Sequence, residues 1–339
     1  MSKWIDLNAD NRRAILQSVG KQGELQQVSA IEKDWWVTAV LKALFKTSCK
    51  HALSFKGGTS LSKGWGLIAR LSEDIDVALH HSFFGMERTN KYQRDLLCRK
   101  ARAYIAGHLR HELDEQLRAM GITGYSIEAV TERMTKDGAI HINSNTDPTV
   151  LIVHYKSVLD EEAEYIHPRV KVEIGCLAMD EPTQGRELNT LISKYYPNED
   201  NEMGCCVRTV VPTRTFLEKV FLLSEEFQRT RPRYRRMSRH LYDLERLMDT
   251  EFAREALENK ALYETIVEHR RTYYGLKYVD YDQLAPHRIE FLPPRGELEH
   301  WREDYAEMQH HFIFGETMGF DELMIRMLEL QSRFRNAWK

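Results

Sequence analysis

Residues 55–79, FKGGTSLSKGWGLIARLSEDIDVAL, decide how this chain is read. Residues 53–55 read as a short strand that runs into Lys56-Gly57-Gly58-Thr59-Ser60. Residues 60–70 read as a short helix and 75–79 as a second strand. A Gly-Gly-Thr that ends a strand and opens a helix lets the backbone come close to a ligand. The first turn of the helix then offers unpaired N–H groups and a partial positive charge to a phosphate. The spacing of a Walker P-loop is absent. Taken alone, two glycines more often mark a plain turn.

The run Ser72-Glu73-Asp74-Ile75-Asp76-Val77 follows. Residues two apart on a strand share a face, so Asp74 and Asp76 converge while Ile75 and Val77 enter the core. Crowded carboxylates repel, and a divalent cation removes that cost. Hard oxygen donors suit Mg2+, which bridges one or two carboxylates to substrate phosphates. A two-metal site takes a third carboxylate. Residues 169–175, RVKVEIG, supply one if their strand lies beside the Asp74–Asp76 strand: Val170, Val172 and Ile174 alternate to one side, Lys171 and Glu173 to the other. The competing reading is an exposed face on which Lys171 pairs with Glu173. His80-His81 is set aside as a metal site, because adjacent strand residues diverge and Mg2+ prefers oxygen.

Outward from this core, helical spacing covers 10–19, 28–45 and a long polar segment 88–120. Strand patterns cover 125–130, 150–155 and 169–174. From residue 213 the pattern is almost purely helical, over 213–228, 235–249, 251–271, 297–312 and 319–335. The segment 179–204, with Pro182, Gly185, Pro197 and an Asn-Glu-Asp-Asn-Glu run, reads as the linker. The expectation is an α+β domain over 1–180, a mixed sheet with flanking helices, and a helical domain over 205–339 that completes the active site. At 339 residues, one large or two medium domains are expected. There is no apolar run near twenty residues and no signal-like start, so a soluble, cytoplasmic protein without membrane contact is expected. Five scattered cysteines, with only Cys205 and Cys206 close together, match neither a disulfide framework nor a zinc clasp.

The helical half carries two more features. Phe216, Val220, Leu223 and Phe227 form one stripe, and Lys219 lies inside it. A lysine in a buried stripe is costly unless its charge meets a partner such as a triphosphate; the alternative is an ammonium that reaches water along the helix edge. Asp243 follows Arg239 by four residues and His240 by three, which also fits an ordinary surface ion pair. Between them lies QRTRPRYRRMSR, residues 228–239. The net charge of −3 gives no general attraction to nucleic acid, but Arg231, Arg233, Arg235, Arg236 and Arg239 form a local patch suited to phosphate or RNA, or else a solvated loop. Trp35, Trp36, Tyr273 and Tyr274 read as core or rim.

Lys56-Gly-Gly-Thr-Ser60, Arg70-Leu-Ser-Glu-Asp-Ile-Asp76 and Glu32-Lys-Asp-Trp35 together resemble the AbiEii/AbiGii toxin family within the nucleotidyltransferases related to DNA polymerase β. The lysine of Thr215-Phe-Leu-Glu-Lys219 and the Arg239-His240-Leu-Tyr-Asp243 helix resemble two further family motifs. The resemblance spans residues 32 to about 245 and leaves the last ninety or so uncovered; an insert-like segment, 131–148, precedes the third acidic strand. It implies a type IV toxin–antitoxin and phage-defence enzyme that moves NMP from an NTP to an acceptor hydroxyl, such as the 3′ end of tRNA, with growth arrest. The implied metal is Mg2+ or Mn2+, held by Asp74, Asp76 and Glu173. Lys56, Gly57, Gly58, Thr59, Ser60 and Lys219 would hold the nucleotide, Asp243 would orient Lys219 or the acceptor, and a cognate antitoxin is the implied partner. Rival readings are a small-molecule nucleotidyltransferase of the antibiotic-modifying kind and a non-catalytic nucleotide- or RNA-binding regulator. The two crowded aspartates speak against the latter.

Overall fold

The computed structural model describes residues 3–23, 27–86, 91–135, 138–159, 166–180 and 182–338. They form two compact units. The first comprises 1–64 with 72–209, the second 65–71 with 210–339. The chain therefore leaves the first unit just after the glycine turn and returns just before the acidic strand.

The first unit is built on a mixed sheet of seven strands: β1 (Leu53–Lys56), β2 (Ile75–Leu79), β3 (Tyr125–Ala129), β6 (Thr149–Tyr155), β7 (Arg169–Gly175), β8 (Thr183–Leu188) and β9 (Cys205–Val210). Their order is β3-β6-β7-β2-β1-β9-β8. The remaining two, β4 (Glu132–Thr135) and β5 (Gly138–His141), pair only with each other. Alternation drives the central strands. In β6, Thr149, Leu151, Val153 and Tyr155 are buried while the residues between them are half-exposed. In β7, Val170, Val172 and Ile174 are buried and Lys171 and Glu173 face the other way.

Helices flank the sheet. Val28–Leu44 packs against β7 and against the helices Ala9–Gln22 and Arg110–Ala119. It is buried almost all round, with Trp35 and Trp36 enclosed and Trp36 stacked on Tyr155 at 4.8 Å. Each indole removes roughly 150–250 Å2 from water, which makes this helix the main apolar support beneath the site.

The second unit is helical: Pro212–Phe227, Ser238–Leu247, Glu251–Glu258, Lys260–His269, Leu298–His311 and Phe320–Asn336. The predicted helix 251–271 is broken at Asn259, whose side chain accepts from Leu262 N and starts a new helix. Two other expectations change. The helix read over 60–70 stops at Gly64, and Gly66 has φ of +65°. The chain then runs extended, with Arg70 in an antiparallel bridge to Ile313. The stretch read as a linker, 179–204, contains β8 and the helix Leu191–Tyr195, capped by Thr190. The insert-like segment contains the exposed β4–β5 hairpin. Residues 88–90 of the long helix fall outside the described residues; the rest runs through Lys91–Tyr104, a wider turn Ile105–Leu109, and Arg110–Ala119.

Candidate active site

β1 runs antiparallel to β2 with Lys56 opposite Asp76, and the chain then turns at Gly57 with φ of +80°. A Cβ on Gly57 would lie 2.2 Å from Asp76 Oδ2 and 2.9 Å from Asp76 Cβ and Cγ. Glycine is required here twice over: for the left-handed backbone, and because the Asp76 carboxylate lies directly against its Cα. The turn continues as a short helical segment, Gly57–Thr59, that widens over Ser60–Gly64.

Thr59 and Ser60 are buried and their hydroxyls point inward. Thr59 Oγ1 donates to the Asp74 carbonyl and lies 2.9 Å from Ser72 Oγ, while Ser60 Oγ donates to the Gly57 carbonyl at 2.9 Å. Thr59 thus ties the glycine turn to the acidic segment. Gly57→Ala is expected to cost about 1–2 kcal/mol for the left-handed backbone alone. By pushing Asp76 aside it should also cut turnover at least about tenfold. Thermal unfolding and a transfer assay on the same preparation check both effects.

Asp74 lies in the segment immediately before β2, and both aspartates are half-buried. β7 runs parallel to β2 with Glu173 directly opposite Asp76, so these two carboxylates share a face. Glu173 is ion-paired with Lys171 on the same strand, the arrangement the competing sequence reading described. Burial alone would lower the Lys171 ammonium, but Glu173, Asp74 and Asp76 outweigh it and hold it above the ordinary lysine range. Among the described residues, no three His, Cys, Asp or Glu side chains converge tightly enough to hold a metal ion by themselves. The donors nevertheless suit a hard divalent cation: Asp74 and Asp76 offer carboxylate oxygens, with Glu173 beside them and occupied by an ammonium.

The helix Val28–Leu44 braces this region through charged residues that sequence reasoning noted only as motif. Lys33, 4% exposed, pairs with Glu73, next to Asp74. Asp34 holds Lys63, just past the glycine turn, and accepts from Leu191 N at 2.8 Å. Trp35 Nε1 donates to Asp200 at 3.0 Å, and Glu32 accepts from Ser157 Oγ and Val158 N at 2.6 and 2.9 Å. Their sequence signal was charge inside an otherwise apolar helix; their partners are set only by the fold.

In the second unit Asp243 is fully buried and receives two cations. Arg70 grips it with Nε and Nη2 at 2.6 and 2.7 Å, and Lys219 Nζ lies 2.8 Å from Oδ2. The ammonium of Lys219 therefore neither reaches water nor forms a surface pair. Burial lowers it, and Asp243, shared with Arg70, compensates only in part. Beside them, burial and the charges of Lys219 and Arg239 hold the His240 imidazole well below its ordinary range. Arg70 was read only as part of a motif, with no signal in the sequence for its partner.

The arginine patch is a pinned loop. Glu226 accepts from Arg233 N at 2.8 Å and pairs with the Arg229 and Arg233 side chains. Asp304 accepts from the backbone N of Arg236 and Ser238. Arg231, Arg233, Arg235 and Arg236 are exposed on it, and Arg239 is half-buried.

A glycine turn locked against an Asp-x-Asp strand, with a lysine–aspartate pair in a helical unit, is the set of parts that the resemblance implied. The family description "Nucleotidyl transferase AbiEii toxin, Type IV TA system" matches residues 39–326. The chain belongs to the AbiEii family. It is a nucleotidyltransferase of the toxin–antitoxin class. No curated protein matches it. Among solved structures it is similar to MenT4, a nucleotidyltransferase toxin from Mycobacterium tuberculosis, at 17% identity over 96% of this chain and 89% of that one, with a TM-score of 0.50. That likeness is one of fold. The family match runs well past the last motif, to residue 326, so most of the helical unit is part of the AbiEii pattern. Among the described residues no helix is long and apolar enough to cross a membrane.

Proposed function

We propose that this AbiEii enzyme transfers NMP from an NTP to the 3′ hydroxyl of an RNA acceptor, tRNA first among them, in the cytoplasm, and that a cognate antitoxin restrains it. The observation that carries the reading is the Asp76 carboxylate lying against the Cα of Gly57, with Glu173 opposite on β7. A turn kept clear of side chain beside paired carboxylates suits a phosphate chain bridged to hard cations.

In this reading Asp74 and Asp76 hold Mg2+ or Mn2+, with Glu173 available beside them. The cation, when bound, lowers the pKa of the acceptor hydroxyl and offsets the charge of departing pyrophosphate. The chain's own residues do the rest. Lys56, Gly57 and Gly58 present the turn to the phosphates, and Thr59 and Ser60 hold its shape from within. Lys219 and Arg70 bring two positive charges to the single carboxylate of Asp243, and the surplus is assigned to the triphosphate. Arg231 and Arg235, exposed on a loop fixed by Glu226 and Asp304, are assigned to the RNA backbone, and this contact should weaken steeply with salt.

The test incubates the full chain with Mg2+, each α-32P-labelled NTP in turn, and total bacterial RNA. Label on tRNA-sized RNA with one NTP is the expected result and names the base. Label on protein or on a small molecule would replace the acceptor. No label with any NTP would overturn the reading.

A further inference from the structure

Lys171 sits where a metal-binding enzyme has most to gain from an empty space. On β7 it shares a face with Glu173, two residues on, while Val170, Val172 and Ile174 fill the buried side. Its neighbour across β6 is Ile152, and the residue opposite Glu173 on that strand is Val150. Neither β6 residue opposite the pair is charged; one strand further, Glu128 of β3 lies opposite Ile152. On the β2 side the register places Asp76 against Glu173, and Asp74 stands two residues earlier. Both aspartates attract the Lys171 ammonium, which contacts Glu173 directly. The Lys171 ammonium thus contacts one carboxylate and is attracted by two more, while Lys56 stands opposite Asp76 on the far side, on β1.

We propose that Lys171 is a displaceable counter-ion of the carboxylate cluster: it holds Glu173 while the divalent cation is absent and gives it up when the cation binds. The inference rests on the reading that Asp74 and Asp76 hold that cation. The physical reason is charge exclusion. Three carboxylates on and beside neighbouring strands repel, and the positive charge of Lys171 held against Glu173 relieves part of the cost. A dication adjacent to the same oxygens relieves more of it and repels the ammonium. Lysine suits this role because it is a compact charge on a flexible four-carbon stem, and at 39% side-chain exposure it has water to move into. An arginine forked onto Glu173 would resist displacement. The sequence pattern Lys-x-Glu thereby makes the third carboxylate conditional on metal.

The test titrates Mn2+ into the full-length protein and follows free Mn2+ by electron paramagnetic resonance, without nucleotide or acceptor. Lys171→Met should bind Mn2+ roughly five- to tenfold more tightly than wild type, the size expected for removing one partly exposed competing charge. Equal or weaker binding overturns the inference. A second measurement needs no variant: trace acetylation of the wild-type chain, read at Lys171 by peptide mass spectrometry. Saturating Mn2+ should raise modification at Lys171 about threefold or more relative to exposed lysines, because the amine is released. Unchanged or reduced modification overturns the inference even if Lys171→Met fails to fold. Asp76→Asn, run in parallel, judges the underlying reading separately. If it binds Mn2+ as well as wild type, the assignment of the metal to Asp76 fails, whatever Lys171 does.

Discussion

Asp76→Asn is expected to lower nucleotidyl transfer by at least about 10³-fold while shifting the unfolding midpoint by no more than about 3 °C. Asparagine keeps the shape that lies against Gly57 and the pairing of β2 with β1 and β7, so the sheet has no reason to rearrange. What is lost is one negative charge, in a cluster where Asp74 and Glu173 already repel it. The stability cost of that loss is small, because the relieved repulsion offsets the attractions given up. The functional cost is large, because an amide oxygen is a much weaker partner for a hard dication than a carboxylate. Transfer of labelled NMP and a thermal melt on one preparation decide the matter. A variant that folds and keeps transfer within tenfold of wild type would remove Asp76 from the chemistry.

The residues that set this site differ in how plainly the sequence announces them. β2 is delimited from sequence to the residue, and β1, β6 and β7 to within one: β6 and β7 bury one face and so alternate, while β1 and β2 are short runs buried on nearly every residue. β8 and β9 lie in or just after a stretch rich in Pro, Gly and acids. β9 joins the sheet through a single parallel register with β1, Phe55 with Thr209, from far along the chain, and local pattern carries no trace of such a pairing. The β4–β5 hairpin is exposed on nearly every residue, so it has no buried face to alternate. The same division applies to the site. Strand periodicity led to the expectation that Asp74 and Asp76 share a face, but β2 begins at Ile75 and leaves Asp74 just before it. That Glu173 stands opposite Asp76 needs the strand order, whereas its pairing with Lys171 was one of the two readings that strand periodicity left open. Lys33 and Arg70 were visible only as charges in conspicuous places. A buried charge implies a partner, but only tertiary structure says which.

That rule gives the largest stability effect, at Asp243. Asp243→Ala should reduce the unfolding free energy by about 3–5 kcal/mol, since it strands two cations in a buried site rather than removing a neutral contact. For a unit of this size the melting midpoint should fall by roughly 10 °C, and transfer should be lost with it. Adding Lys219→Met to Asp243→Ala should recover part of the stability, because one fewer charge is left uncompensated, while recovering no activity. Failure of the double variant to gain on the single one would show that Lys219 finds another partner. The pH dependence has a definite sign. Burial pushes the Asp243 carboxyl up, but Arg70 and Lys219 outweigh it and hold it well below the ordinary carboxylate range. A group depressed in the folded state contributes its full stabilisation above the unfolded value of about 4, and loses it as the pH falls toward the folded value. The gap in melting midpoint between wild type and Asp243→Ala should therefore be constant from pH 7 to about 5 and narrow below about 4. A gap that widens in acid would mean that the carboxylate is not what holds Arg70 and Lys219 in place.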